Sequence, residues 1–211
     1  MTMIDKLRRE VPIEEFDYLL LMNALSSYKK PRDKVTQLIK SGAILRVKKG
    51  IYVFGPNYRK SPISLEVLAN QIYGPSYISL EFALGFHNII PERVEWVTSV
   101  TSQKSKTFET PIGHFSYRHI HPEKYIVGVE NIQLDEHRYC MMASKEKALS
   151  DLLALQRDIH SKKEMLEHLT KNLRIDVEEL TKFNSERMEE IDEIYKNKRV
   201  KILNQIIKEL S

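Results

Sequence analysis

The residues able to do chemistry are few and scattered. His119 and His121 stand two positions apart, so a strand carrying both would present them on one face, and His137 precedes the single cysteine, Cys140, by three residues. Imidazole and thiolate at such spacings can ligate zinc or another transition metal. A metal site needs three or four convergent donors, and the sequence supplies only pairs. These histidines therefore read as sheet or surface residues, and neither a metal nor a cofactor is expected. The seven glycines, at positions 42, 50, 55, 74, 85, 113 and 128, cannot form a G-x-G-x-x-G turn or a Walker-type phosphate loop. No H-E-x-x-H occurs, and no serine sits in a G-x-S-x-G elbow. Asp151 reads as a solvated or helix-paired carboxylate, and Trp96, Tyr117 and Tyr125 as core. No residue takes a catalytic role, so the chain is not expected to be an enzyme; a metal-dependent enzyme built on the histidines is the contrary hypothesis.

Charge is the stronger signal. The chain carries a formal net charge of +4, but residues 1–60 hold thirteen bases against six acids, a net +7, and the remainder is −3. Between positions 28 and 60 only Asp33 opposes ten lysines and arginines. Such a density points to a polyanionic partner, with a solvated basic face as the plain alternative.

The elements that would carry those charges can be read from periodicity. Residues 3–9 place Ile4 and Leu7 on one side and stop before Pro12. Residues 13–25 open with Glu14 and Glu15, where a helix dipole favours anions, and repeat Phe16, Leu19, Leu20 and Ala24 at helical spacing. A third helix begins at Pro31, buries a Val35, Leu38, Ile39 stripe and ends at Gly42, leaving Lys30, Asp33, Thr36, Gln37 and Lys40 on the other side with Arg32 and Lys34 flanking. Two β-rich runs, 44–47 and 51–54, then enclose Lys48, Lys49 and Gly50, a hairpin pattern. Three helices followed by a basic hairpin predict a winged helix-turn-helix. Its third helix fits a major groove about 12 Å wide and its wing lysines can reach phosphates. The expected DNA-binding residues are Lys29, Lys30, Arg32, Lys34, Thr36, Gln37, Lys40, Arg46, Lys48 and Lys49.

The stretch GPNYRKSP, 55–62, looks like a linker, which divides the chain into 1–58 and 62–211. In the second part Ser64, Ser79 and Ser144 are placed to cap helices, strands are expected over 94–101, 106–109, 113–120, 125–129 and 139–143, and the sheet they form is expected to be antiparallel. The sheet-containing segment would span 62–158 and a charge-rich helical tail 159–211. The fold class is thus α+β: a winged helix-turn-helix, then a mixed domain with flanking helices.

At 211 residues, 42% hydrophobic and 29% charged, the chain falls in the globular range and not the disordered one. One cysteine excludes an internal disulfide and suits a reducing compartment. MTMIDKLRRE lacks the apolar stretch of a signal peptide, and the longest apolar run, 18–22, is far short of the roughly 18 residues that a membrane span needs. A cytoplasmic protein with no membrane partner is expected.

The run YISLEFALGFHNIIPERVEWVTSVTSQKSKTFETPIGHFSYRHI, 77–120, closely resembles the second domain of AbiEi-type antitoxins, and ASKEKALSDLL, 143–153, looks like the helix that follows their sheet. SGAILRVKKGIYVF, 41–54, is similar to the end of their amino-terminal winged helix. The resemblance implies an antitoxin from a bicistronic toxin-antitoxin or phage-defence operon. Its first domain would repress that operon at promoter repeats, and its second would counteract a nucleotidyltransferase-type toxin. It places the DNA-reading helix at 31–40 and the wing at 46–51. The implied partners are double-stranded promoter DNA, the toxin, with or without direct contact, and on DNA a second copy of the chain. The chain is not itself that toxin, since it lacks a Gly-Ser dipeptide. The competing reading is a winged-helix regulator whose second domain senses a ligand or dimerises.

Overall fold

The computed structural model describes residues 2–210. Helix α1 (Met3–Glu10) is closed at its start by a capping box between Thr2 and Asp5, and buries Leu7. The expected second helix is shorter than its pattern. Residues Glu15–Asp17 form a strand, β1, and only Tyr18–Ala24 is helical, α2, capped by Asp17 through the Leu20 N–H. The glutamates explain the difference. They are not dipole partners but buried groups: Glu14 binds Arg8 and the Lys60 and Ser61 amides, while Glu15 accepts from the Ser64 N–H.

Helix α3 (Pro31–Lys40) follows, then β2 (Ile44–Lys48) and β3 (Ile51–Phe54). The α3 exit is a Schellman turn: Gly42 at φ +69° donates to Ile39, and the next N–H, from Ala43, donates to Leu38. The three strands make an antiparallel sheet in the order β1-β3-β2, with Glu15 opposite Val53 and Arg46 opposite Tyr52. Leu7, Phe16, Leu21, Leu38, Ile44 and Phe54 fill the core between this sheet and the helices.

The remaining elements are α4 (Leu65–Ile72), β4 (Ser76–Ile78), α5 (Leu80–Phe86), β5 (Val97–Thr101), β6 (Lys106–Glu109), β7 (His114–His119), β8 (Val129–Gln133), β9 (Tyr139–Ala143), α6 (Lys145–Leu155), α7 (Lys162–Glu167), α8 (Val177–Thr181), α9 (Ser185–Tyr195) and α10 (Lys198–Leu210). The fold is α+β. Its larger sheet has the order β6-β7-β5-β4-β9-β8 and is mixed, not antiparallel: β5 runs parallel to β7 and β4 parallel to β9. Apolar content decides this. Strand β7 buries Phe115 and Tyr117, and β9 buries Cys140 and Met142, so both take interior places. Their hairpin partners carry Lys106 and Glu109, or Glu130 and Gln133, and stand at the edges, where charged side chains discourage further pairing. Laying each apolar strand beside its inner neighbour forces the parallel register.

Ser64 and Ser144 cap α4 and α6 as expected. Ser79 precedes α5 without capping it; its hydroxyl donates to Asp151 instead, at 2.7 Å. The expected strand at 125–129 is a turn following a short 3-10 segment, Pro122–Lys124, and pairing starts only at Val129. Helix α6 is buried from Glu146 to Leu153 between α5, α9 and α10.

The 55–62 stretch is held at both ends. Gly55 donates to the Ala43 carbonyl, and a Cβ there would lie 1.8 Å from the Gly42 oxygen, so only glycine fits. Val47, Ile51 and Val53 from the first sheet pack in the same apolar cluster as Leu68, Ile72 and Tyr77. Burial pushes the Glu14 carboxyl up, but Arg8, whose Nη2 reaches both carboxylate oxygens at 2.6 and 2.7 Å, and the two amides more than offset it and hold it below the usual glutamate range. The consequence for pH has a definite sign. A carboxylate with a lowered folded-state pKa stabilises fully above the ordinary value of 4.5, and that contribution is lost as pH falls through the folded value. Glu14→Gln is therefore expected to lower the thermal midpoint at pH 7 and to lower it progressively less as pH falls below 4.5. A difference that stays constant over that range contradicts the assignment.

Candidate functional site

The basic surface is built on α3 and the β2–β3 hairpin. Val35 and Leu38 are buried and Ile39 half-buried, so the α3 axis is fixed against Leu25, Ile44 and Phe54. Arg32, Asp33, Thr36, Gln37 and Lys40 consequently face solvent. The Thr36 hydroxyl donates to the Arg32 carbonyl at 3.2 Å, and Lys34 donates to the Gln37 side-chain oxygen at 3.1 Å while lying 5.6 Å from the Tyr28 ring centre. Gln37 keeps its amide NH2 unengaged by any described residue. Lys29 and Lys30 are exposed at the helix entrance, and Arg46 and Lys49 are exposed on the hairpin.

Lys48 departs from the expected set. The β2 register shifts between Arg46 and Lys48, and this irregularity turns the Lys48 side chain toward the second part of the chain. Its ammonium donates to the Ile72 carbonyl at 2.5 Å and lies 4.6 Å from the centre of the Phe108 ring. Burial and the nearby Lys106 charge hold its pKa below the ordinary lysine range. The alternating pattern of ILRVKKG gives no sign of the bulge, so sequence placed Lys48 and Lys49 together.

The metal-ligand candidates do not converge. His119 donates through Nδ1 to the Gln103 carbonyl at 2.8 Å, His121 lies 3.9 Å from Glu123, and His137 is exposed in the turn before β9. Cys140 is buried, and burial together with Glu66 pushes its thiol up to about 12, so at neutral pH it stays protonated and is a poor nucleophile. Among the described residues no three His, Cys, Asp or Glu side chains are grouped to hold an ion. No described helix is long and apolar enough to cross a membrane.

The larger surprise is a charged network at the centre of the second part. Of the two expectations for Asp151, the helix-paired one holds and the solvated one does not. Asp151 is buried with Lys147, one turn earlier on α6, at 3.2 Å, and it accepts hydrogen bonds from Tyr77, Ser79 and Tyr195. The Lys147 ammonium also donates to Tyr195 and to the Lys124 carbonyl. Burial lowers the Lys147 pKa despite Asp151, and burial with the Asp151 charge pushes both tyrosine hydroxyls up, keeping them donors. A buried ion pair whose remaining positions are filled by three hydroxyls and the Lys124 carbonyl joins β4, the entrance to α5, α6 and α9. Its one trace in the sequence is Lys147 and Asp151 at i, i+4 inside KALSDLL, where charges fall among core positions. Tyr117 is core as expected, Tyr125 is half-buried, but Trp96 is 44% exposed and stacks on His114 at 4.8 Å.

A scan against protein-family models finds none that matches this chain, and a search of curated proteins finds no match.

Proposed function

We propose that residues 1–58 form a winged helix-turn-helix that binds double-stranded DNA, and that the protein is an antitoxin of the AbiEi type which represses its own operon. The observation that carries the DNA reading is the polar face of α3: a ten-residue helix anchored by buried Val35 and Leu38, whose solvent side offers Arg32, Thr36, Gln37 and Lys40 and is followed by a hairpin with exposed Arg46 and Lys49. One exposed helix with guanidinium, hydroxyl and amide groups suits base edges, and hairpin cations suit the phosphates beside them. The antitoxin role is supported by the resemblance of residues 77–120 and 143–153. Its test is co-expression with the neighbouring gene product: growth restored by this chain against a nucleotidyltransferase-type toxin supports the role, and unrelieved arrest by that toxin overturns it.

The two hairpin lysines are expected to differ. Lys49→Ala should weaken binding to every duplex and lower the salt slope by about one unit, because one phosphate contact is lost. Lys48→Ala should leave that slope unchanged, since its ammonium is engaged by Ile72. Titrations at several salt concentrations check both, and equal slopes for the two variants contradict the assignment.

A further inference from the structure

The end of β7, the turn after it and the C-terminal half of α6 enclose a cleft of about 190 Å³ lined by Arg118, His119, His121, Lys124, Asp151 and Tyr195 among others. Four of these groups carry or can carry positive charge. The one acid, Asp151, is already tied to Lys147 and three hydroxyls. Arg118 makes no hydrogen bond or ion pair with any described residue, and the Lys124 ammonium has only the Tyr195 ring, 5.5 Å away. An unpartnered guanidinium and an ammonium in one concave wall are a match for a phosphate, which takes a planar fork and a point charge together.

The cleft continues into an open groove of about 690 Å³ that shares Leu80, Arg118 and Leu155 with it. The groove adds Trp96 and the hydroxyls of Thr107 and Ser116, with Glu81 as its one acid; the Thr98 hydroxyl, also in its wall, is taken by the Ser79 carbonyl and the Phe82 N–H. Trp96, stacked on His114, lines the same groove as that arginine. Leu80, at the junction, has φ +58°, a strained left-handed conformation for a leucine, of the kind that clusters at binding sites. Phosphate-binding cations, an aromatic ring and hydroxyl groups in one continuous depression define a chemical class. We propose that this site binds a nucleoside monophosphate, its phosphate held between Arg118 and Lys124 and its base lying toward Trp96. The proposal is independent of the DNA reading, which uses other residues.

Trp96 is the only tryptophan, so its fluorescence reports occupancy of the groove directly. The full chain is titrated with AMP, CMP, adenosine and inorganic phosphate, with calorimetry as the second readout. Saturable AMP and CMP binding, tighter than that of adenosine or phosphate alone, is expected. Loss of charge-assisted hydrogen bonds in Arg118→Ala should weaken AMP by roughly tenfold or more. Arg118→Lys should retain part of the affinity, and Lys34→Ala and Lys49→Ala, in the first unit, should leave it unchanged. Circular dichroism confirms that each variant is folded, and Arg118→Gln replaces the alanine variant if it is not. The proposal is overturned if nucleotides fail to bind the wild-type chain, if they bind no better than phosphate, or if a folded Arg118 variant binds them as tightly as wild type.

Discussion

Asp151→Ala is expected to destabilise the protein by about 3 to 5 kcal/mol, because it strands the Lys147 ammonium in an interior where that side chain has no exposed surface. The tyrosine hydroxyls add to the loss, since Tyr77 and Tyr195 both donate to this carboxylate and neither reaches water easily once it is gone. Tyr195→Phe should cost less, about 1 to 2 kcal/mol, as it removes one hydroxyl that donates to Asp151 and accepts from Lys147 but leaves the ion pair in place. Replacing both charges, Lys147→Met with Asp151→Leu, should recover much of the stability lost in Asp151→Ala, because the penalty comes from an unpaired charge and not from absence of the pair. Urea unfolding at constant m-value measures all three. A loss below about 1 kcal/mol for Asp151→Ala would mean that water or a rearrangement reaches Lys147, and the buried ion pair would have to be abandoned as a stabilising element.

The second large effect concerns recognition. Glutamine can pair with the N6 and N7 edge of adenine for about 1 to 3 kcal/mol of discrimination. Gln37→Ala should therefore weaken operator binding by that amount, affect a scrambled duplex little, and leave the salt slope nearly unchanged. Lys34 holds the Gln37 oxygen in the free protein at 3.1 Å. The Gln37 oxygen keeps a second lone pair for the adenine N6–H, so Lys34→Ala should remove a cation, lowering the salt slope without abolishing sequence preference. Equal losses on both duplexes for Gln37→Ala would show that this face of α3 does not read bases.

The elements that announced themselves in the sequence are those whose signals are local. Ser64 and Ser144 cap the helices that follow them, Gly42 ends α3 in a left-handed turn, and β6, β7 and β9 fall within one residue of their alternating patterns. What escaped depended on distant partners. Glu14 and Glu15 look like first-turn helix residues until Arg8, Ser61 and Ser64 are brought beside them, and the three-residue strand β4 is too short to show a period. Strand β8 follows a turn that the apolar residues near 125 obscured, and parallel pairing is invisible to periodicity because it is set by which strand can be buried. The solvent exposure of the polar face of α3 was legible from its periodicity. The diversion of Lys48, the exposure of Trp96 and the burial of Asp151 were not, since each follows from a neighbour far away in sequence.

The most direct test titrates the full chain onto a duplex carrying the region upstream of its own gene and onto a scrambled duplex of the same length and composition, at several salt concentrations. A sequence-reading repressor is expected to prefer its operator by about 10³-fold or more at physiological salt, with both affinities falling as salt rises. Equal affinity for the two duplexes, or no binding to either at low salt, contradicts the account.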